Sequence, residues 1–273
     1  MKLIRFLSED EETVYGLFDK STPDKALIIK GDILGDFNVT TRSRKIKKFL
    51  PPVFPPNILA LGLNYRKHAD ETNIRYPDIP VVFLKATNSV IGHESPIILP
   101  EAGPNEIDYE AELAVIIGKK AKNVPAQDAM NYIAGYTCAN DVSARDWQIR
   151  KQKKQWSRGK SFDTFCPLGP YLATTDEIPN PNNLGIRAVL NGKALQSSNT
   201  SDMIFDIPTI VSDLSRSMTL LPGTVILTGT PEGVGFTRQP PIFMKEGDVI
   251  TISIEKIGEL TNPVIKEDHK EGG

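Results

Sequence analysis

Residues 107–118 are apolar at most positions, yet Asp108, Glu110 and Glu112 fall on alternate residues. Side chains along a strand point to opposite faces in turn. Asp108, Glu110, Glu112, Ala114 and Ile116 should therefore share one face, and Tyr109, Ala111, Leu113, Val115 and Ile117 the other. Short apolar or alternating runs predict further strands over 2–7, 13–19, 25–30, 57–62, 81–85, 133–140, 168–173, 186–190, 224–228 and 249–254. Helical composition marks 65–72 and a short helix at 125–131. The best helix is 206–217, where Ile207, Ile210, Val211 and Leu214 recur at helical spacing and Pro208 suits the first turn. Helices that would alternate with strands are scarce. The pattern therefore predicts a mixed β-sheet or β-roll core (α+β) and not a doubly wound sheet. Pro51, Pro52, Pro55 and Pro56 surround Val53 and Phe54 in a run that suits neither a helix nor a central strand. It reads as a linker between a small α/β or β-rich N-terminal domain, residues 1–50, and a main domain over 57–273.

Composition narrows the class. A chain of 273 residues suits one large domain with or without a small one. The net charge of −2 gives no reason to expect a nucleic-acid partner. No apolar run approaches the roughly 20 residues that cross a bilayer. The first residues turn charged too soon for a secretory signal. Cys138 and Cys166 do not make a disulfide framework, so the expectation is a reduced, cytoplasmic chain with both thiols buried as packing groups.

The candidate chemistry starts from the carboxylates. Cα atoms two apart on a strand lie roughly 6.5–7 Å from each other, so Glu110 and Glu112 can bend toward one point. Like charges that close raise each other's pKa unless a cation neutralises them. A hard divalent ion does this, and Asp141, just after the strand at 133–140, is the candidate third ligand. The plain alternative is a solvated strand edge. His68 and Glu71 stand at i,i+3 on a helical stretch, where the carboxylate can orient the imidazole as a general base; a surface pair is the alternative. His93 fails the zinc-protease pattern, and His269 sits in a polar tail. If 141–148 is helical, Asp141, Arg145 and Gln148 share a face, and Arg145 can grip a substrate carboxylate; otherwise the segment is a surface turn. Gly159-Lys160-Ser161 is no phosphate loop, because residue 154 is Lys where that motif needs Gly. Lys160 can still supply fixed positive charge beside an anionic intermediate. The turn at 227–235 is glycine-rich, suited to close backbone approach to a ligand or simply tight. Lys151, Lys153, Lys154 and Arg158 form a basic run, either a solvated loop or a lid that draws in anions.

In order along the chain, Gly62 to Glu71, Asp108 to Gly118, Asn140 to Gln148, Gly159 to Asp163 and Leu227 to Gly235 resemble the motifs of the fumarylacetoacetate hydrolase superfamily. The resemblance covers about residues 57–255, and the segment Arg238 to Asp248 is similar to its short-chain subgroup with 2-oxoacid activities. It implies a β-sandwich-roll core, a homodimer and one Mg²⁺, with Mn²⁺ or Ca²⁺ as substitutes. It implies Glu110, Glu112 and Asp141 as metal ligands, His68 and Glu71 as a catalytic dyad on a lid, and Lys160 as an active-site lysine. Arg145, Gln148 and Thr230 match substrate-contacting positions, and Asp108 a family residue that is not a ligand. The activity it implies first is hydrolysis of an acylpyruvate. Oxaloacetate decarboxylation or keto-enol tautomerisation, or isomerisation of 2-hydroxyhepta-2,4-diene-1,7-dioate, are the alternatives. A non-catalytic module that binds a divalent metal is the alternative of another class.

Overall fold

A computed structural model of the chain describes residues 1–267; His269 lies outside the described residues. Strand is the commonest regular structure, in mixed sheets with few helices. The main sheet runs Thr13–Phe18, Lys25–Gly31, Phe37–Leu50, Lys2–Ser8, Cys166–Thr174, Ile133–Asn140, Ala111–Ile117, Val225–Leu227, Ile58–Gly62, Val81–Lys85. The described residues of 1–50 hold four strands and no helix. They continue into the main sheet where Lys2 and Leu3 pair with Ala173 and Leu172. A second sheet, ordered Lys193–Asn199, Gly185–Leu190, Val249–Ile254, Gly258–Lys266, Ile97–Leu99, packs against its central strands.

The alternation along 107–117 is obeyed in the packing. Tyr109, Ala111, Leu113, Val115 and Ile117 join one apolar core, while Ala114 and Ile116 join a second on the opposite face. The strand is covered on both sides, which is why it reads as a near-continuous apolar run. It is not one strand, however. Ile107–Asp108 pairs with Ser143–Ala144, and the central ladder restarts at Ala111. Between them Glu110 N donates to Asn140 Oδ1 (3.0 Å) and Ala111 N to Gln196 Oε1 (2.8 Å), so side chains take over from the ladder.

The helix at Ile207–Ser217 forms as its signals predict. Asp206 Oδ1 accepts from Thr209 N at 2.9 Å, Pro208 sits in the first turn, and Ile207, Ile210, Val211 and Leu214 are buried. Of the two readings of 141–148, the continuous helix does not form. Asn140 ends a strand, Ser143–Ala144 is a short strand, and only Asp146–Lys151 is helical, as a wide turn after Arg145. Asp141 therefore does not share a helical face with Arg145 and Gln148. The strand Phe37–Leu50 went unread because its charged residues, often adjacent, hide the period of two. Among the described residues no helix is long and apolar enough to cross a membrane. Both cysteines are buried, and burial pushes each thiol up to about 12, far from a nucleophile's range.

Candidate active site

The antiparallel register explains how carboxylates distant in sequence meet. Ala111 pairs with Asn140, so the residues just before and after that pair, Glu110 and Asp141, become neighbours, and Asp141 N donates to Glu110 O at 2.9 Å. One carboxylate oxygen from each of Glu110, Glu112 and Asp141 lies within 4.8 Å of the others, and all three residues are buried. Helix Trp156–Gly159 ends beside them and delivers Lys160, whose Nζ is 2.8 Å from Glu110 Oε2 and 2.5 Å from Asp141 Oδ2.

A residue that sequence reasoning missed completes this cluster. Lys85 closes the edge strand Val81–Lys85 with a fully buried side chain. Its Nζ donates to Asp141 Oδ1 at 2.5 Å and to the carbonyl oxygen of Lys160. One lysine at the end of a short apolar strand carries no sequence signal, since its acceptors lie 56 and 75 residues away.

Arg145 also behaves differently from expectation. Its Nε donates to Asp108 Oδ2 (2.9 Å), and Nη1 lies 2.7 Å from Glu110 Oε1 and donates to Gln148 Oε1 (2.8 Å). Nη2 is within 2.8 Å of Asp108 Oδ2 but is not aligned for a hydrogen bond. The grip expected on a substrate carboxylate is thus largely taken up by protein carboxylates, with the guanidinium lying over Phe236 at 4.4 Å.

The glycine-rich turn brings backbone close to carboxylates of the protein itself. Gly229 N donates to Glu112 Oε2 (2.6 Å) and Gly233 N to Glu71 Oε2 (3.0 Å). Gly235 N and Phe236 N donate to the two oxygens of Asp108 (2.8 and 3.0 Å). One loop therefore fixes three acidic side chains. Gly235 has no room for a side chain, because a Cβ there would overlap the Ile242 carbonyl oxygen and Asp108 Oδ1.

His68 and Glu71 sit on the short helix Arg66–Glu71, and His68 Nδ1 is 2.7 Å from Glu71 Oε1. Glu71 is held in turn by Gly233 N and by Thr237 Oγ1 (3.2 Å). Nδ1 engaged this way leaves Nε2 as the ring nitrogen free to exchange protons. His68, Glu71, Glu110, Arg145, Gln148, Lys160 and Thr230 all line one cavity of about 400 Å³. Thr230 Oγ1 accepts from Gln196 Nε2 at 2.9 Å. Glu112 and Asp141 do not line the cavity but lie directly behind Glu110.

The electrostatics separate the three central carboxylates. Burial by itself would raise Glu110, but Lys160 and Arg145 outweigh it and hold the carboxyl down at about 2. Burial, with Asp141 and Glu110 alongside, pushes Glu112 well above the usual carboxylate range. Burial disfavours the Lys160 ammonium, yet Asp141 and Glu110 overcome this and raise it. Four buried acids, Asp108, Glu110, Glu112 and Asp141, thus face three buried cations, Lys85, Arg145 and Lys160. Glu112 is the acid with no cation at ion-pair distance among the described residues. An all-oxygen donor set that is one positive charge short fits a hard divalent cation.

A family model described as the fumarylacetoacetate (FAA) hydrolase C-terminal domain matches residues 57–265. The chain is 48% identical over 231 residues to "Oxaloacetate tautomerase fahd2, mitochondrial" of Xenopus laevis, covering 84% of this chain and 72% of that one. The crystal structure of 5-carboxymethyl-2-hydroxymuconate delta-isomerase from Mycobacterium smegmatis superposes with a TM-score of 0.86 at 41% identity, over 98% of this chain and 100% of that one. That of 2-hydroxyhepta-2,4-diene-1,7-dioate isomerase from Mycobacterium marinum does so with 0.84 at 39%, over 98% and 99%.

Proposed function

This chain belongs to the fumarylacetoacetate hydrolase family, and we propose that it is a keto-enol tautomerase of a small 2-oxo dicarboxylic acid, with oxaloacetate as the first choice. The observation that carries this is the His68–Glu71 dyad facing the same cavity as Lys160 and Arg145. A proton donor and acceptor stands there beside fixed positive charge, which is what interconversion of a ketone and its enol requires.

For the enol form, the steps assigned to this chain's residues are few. The enolic O–H loses its proton to solvent while negative charge spreads toward C3. Lys160 and Arg145 stabilise the anionic substrate. C3 takes a proton from Nε2 of His68, C2=O forms, and His68 recovers a proton from solvent. Glu71, at 2.7 Å from Nδ1, orients the ring so that Nε2 faces the substrate. No water has to attack, so nothing need be held for hydrolysis. In this reading Glu110, Glu112 and Asp141 hold one divalent cation, Mg²⁺ by donor type, which when bound polarises the 2-oxo group of the substrate. Gln148 and Thr230 contact the substrate at its reacting end.

Hydrolysis of acylpyruvates is a second reading, favoured by the apolar cavity wall of Ile74, Ile149 and Trp156, which suits an acyl group. Tautomerisation comes first because the relatives described above are named as an oxaloacetate tautomerase and as isomerases. The test is the decay of enol-oxaloacetate absorbance. His68→Gln should lower kcat by about 100-fold or more, the usual contribution of a general acid–base, with binding retained. A full rate in His68→Gln sinks the proposal.

A further inference from the structure

The basic run at 151–158 is sorted by the structure into two kinds of residue. Lys151 Nζ pairs with Asp146 at 2.7 Å and lies over the Trp147 ring, and the Arg158 guanidinium covers the same ring at 4.4 Å. Lys153 is exposed and does not line the cavity. Lys154 does line it, alongside Ile149 and Trp156. The charged groups of that lining are His68, Glu71, Glu110, Arg145, Lys160 and Lys154. Every one but Lys154 is committed: His68 and Glu71 to each other, Arg145 and Lys160 to Glu110. Among the described residues Lys154 has neither an ion pair nor a side-chain hydrogen bond. Its turn is nevertheless built, with Gln152 N on Trp147 O (3.2 Å), Lys153 N on Arg150 O (3.3 Å) and Gln155 N on Gln152 O (2.9 Å). Ile149 and Trp156, the lining residues next to it in sequence, are apolar or nearly so and offer a second carboxylate no charge.

We infer that Lys154 receives the distal carboxylate of the substrate and is what selects a dicarboxylic over a monocarboxylic 2-oxoacid. The inference rests on the tautomerase reading for its substrate but on the cavity lining for its residue. A lysine is suited to this place, because a point charge on a flexible stem needs no fixed bidentate geometry. Two substrates with the same 2-oxo head and different tails separate the effects: oxaloacetate, with a carboxylate, and acetopyruvate, with a methyl ketone. An ion pair at a partly exposed rim supports a KM increase of about 3- to 10-fold for oxaloacetate in Lys154→Met. Lys154→Arg should stay within about twofold of wild type, because the charge is kept. The KM for acetopyruvate should move by less than about twofold in either variant. Added salt should raise the wild-type KM for oxaloacetate more than that of Lys154→Met, since screening weakens only an existing pair. Equal shifts for both substrates, or none for either, overturn the assignment. Calorimetric binding of 3,3-difluoro-oxaloacetate, which has no proton to lose at C3, tests Lys154 without turnover. Weaker binding to Lys154→Met supports the assignment and equal binding overturns it. If binding weakens but wild type does not tautomerise oxaloacetate, the tautomerase reading fails and the role of Lys154 stands.

Discussion

Lys85→Met tests whether the acidic cluster is held by its buried cations. The side chain is fully buried and makes two strong contacts, the ion pair to Asp141 Oδ1 at 2.5 Å and the hydrogen bond to the Lys160 carbonyl. A third, to Val142 O at 3.4 Å, is too long to count for much. Removing one partner of a buried pair costs about 3–5 kcal/mol, because the other charge is left uncompensated. Asp141 keeps Lys160 on its second oxygen at 2.5 Å, which places the pair near the low end. The Lys160 carbonyl, stripped of this donor, adds about 1 kcal/mol or more. The sum is about 4 kcal/mol, or roughly 8–16 °C in Tm for a chain of this size. Met nearly preserves the apolar stem, so little of this comes from a cavity. Urea unfolding followed by circular dichroism, in chelator so that no cation replaces the lost charge, measures it. The double variant Lys85→Met with Asp141→Asn should recover part of the loss, since the orphaned charge is gone. A loss below about 1 kcal/mol for Lys85→Met, or no recovery in the double variant, would refute the reasoning.

Glu112→Gln should stabilise the chelated protein at neutral pH. The Glu112 carboxyl is raised in the fold by burial, Asp141 and Glu110, so its contribution is full below its ordinary value of 4.5 and is lost as pH rises. Chelated wild type should therefore melt below Glu112→Gln at pH 7–8, with the two converging toward acid pH, and added Mg²⁺ should reverse the order because the variant lacks a ligand. Glu110 behaves oppositely: held down at about 2, its stabilisation is present above pH 4.5 and fades as pH falls toward 2. Gly235→Ala should cost about 3 kcal/mol or more and remove activity, since the new methyl group displaces Asp108 from its two backbone donors; an unchanged Tm and rate would contradict the fit described for that turn.

The parts of the site legible in the sequence were those carried by local spacing. Alternation placed Glu110 and Glu112 on one face, the i,i+3 spacing joined His68 to Glu71, and Pro208 with the apolar spacing after it marked a helix start. Asp141 was legible from its place just after the strand Ile133–Asn140, and it meets Glu110 through the antiparallel register. What stayed hidden depends on contacts between distant segments. Lys85 is an ordinary strand-end lysine until the sheet closes on Asp141. The glycine-rich turn suggested close backbone approach to a ligand, whereas the fold sets its N–H groups on the protein's own Glu112, Glu71 and Asp108. The break at Tyr109–Glu110 arises from Asn140 and Gln196 side chains that take over ladder hydrogen bonds, and no periodicity reports this.

Proton NMR of enol-oxaloacetate mixed with the wild-type chain and Mg²⁺ follows the enol, the ketone and pyruvate in one sample. The enol should convert to ketone well above the buffer rate, with pyruvate no faster than in the enzyme-free control. Chelator or His68→Gln should return the conversion to the buffer rate. Pyruvate formed at an enzymic rate while enol and ketone interconvert no faster than in buffer would contradict the assignment of this site to proton transfer.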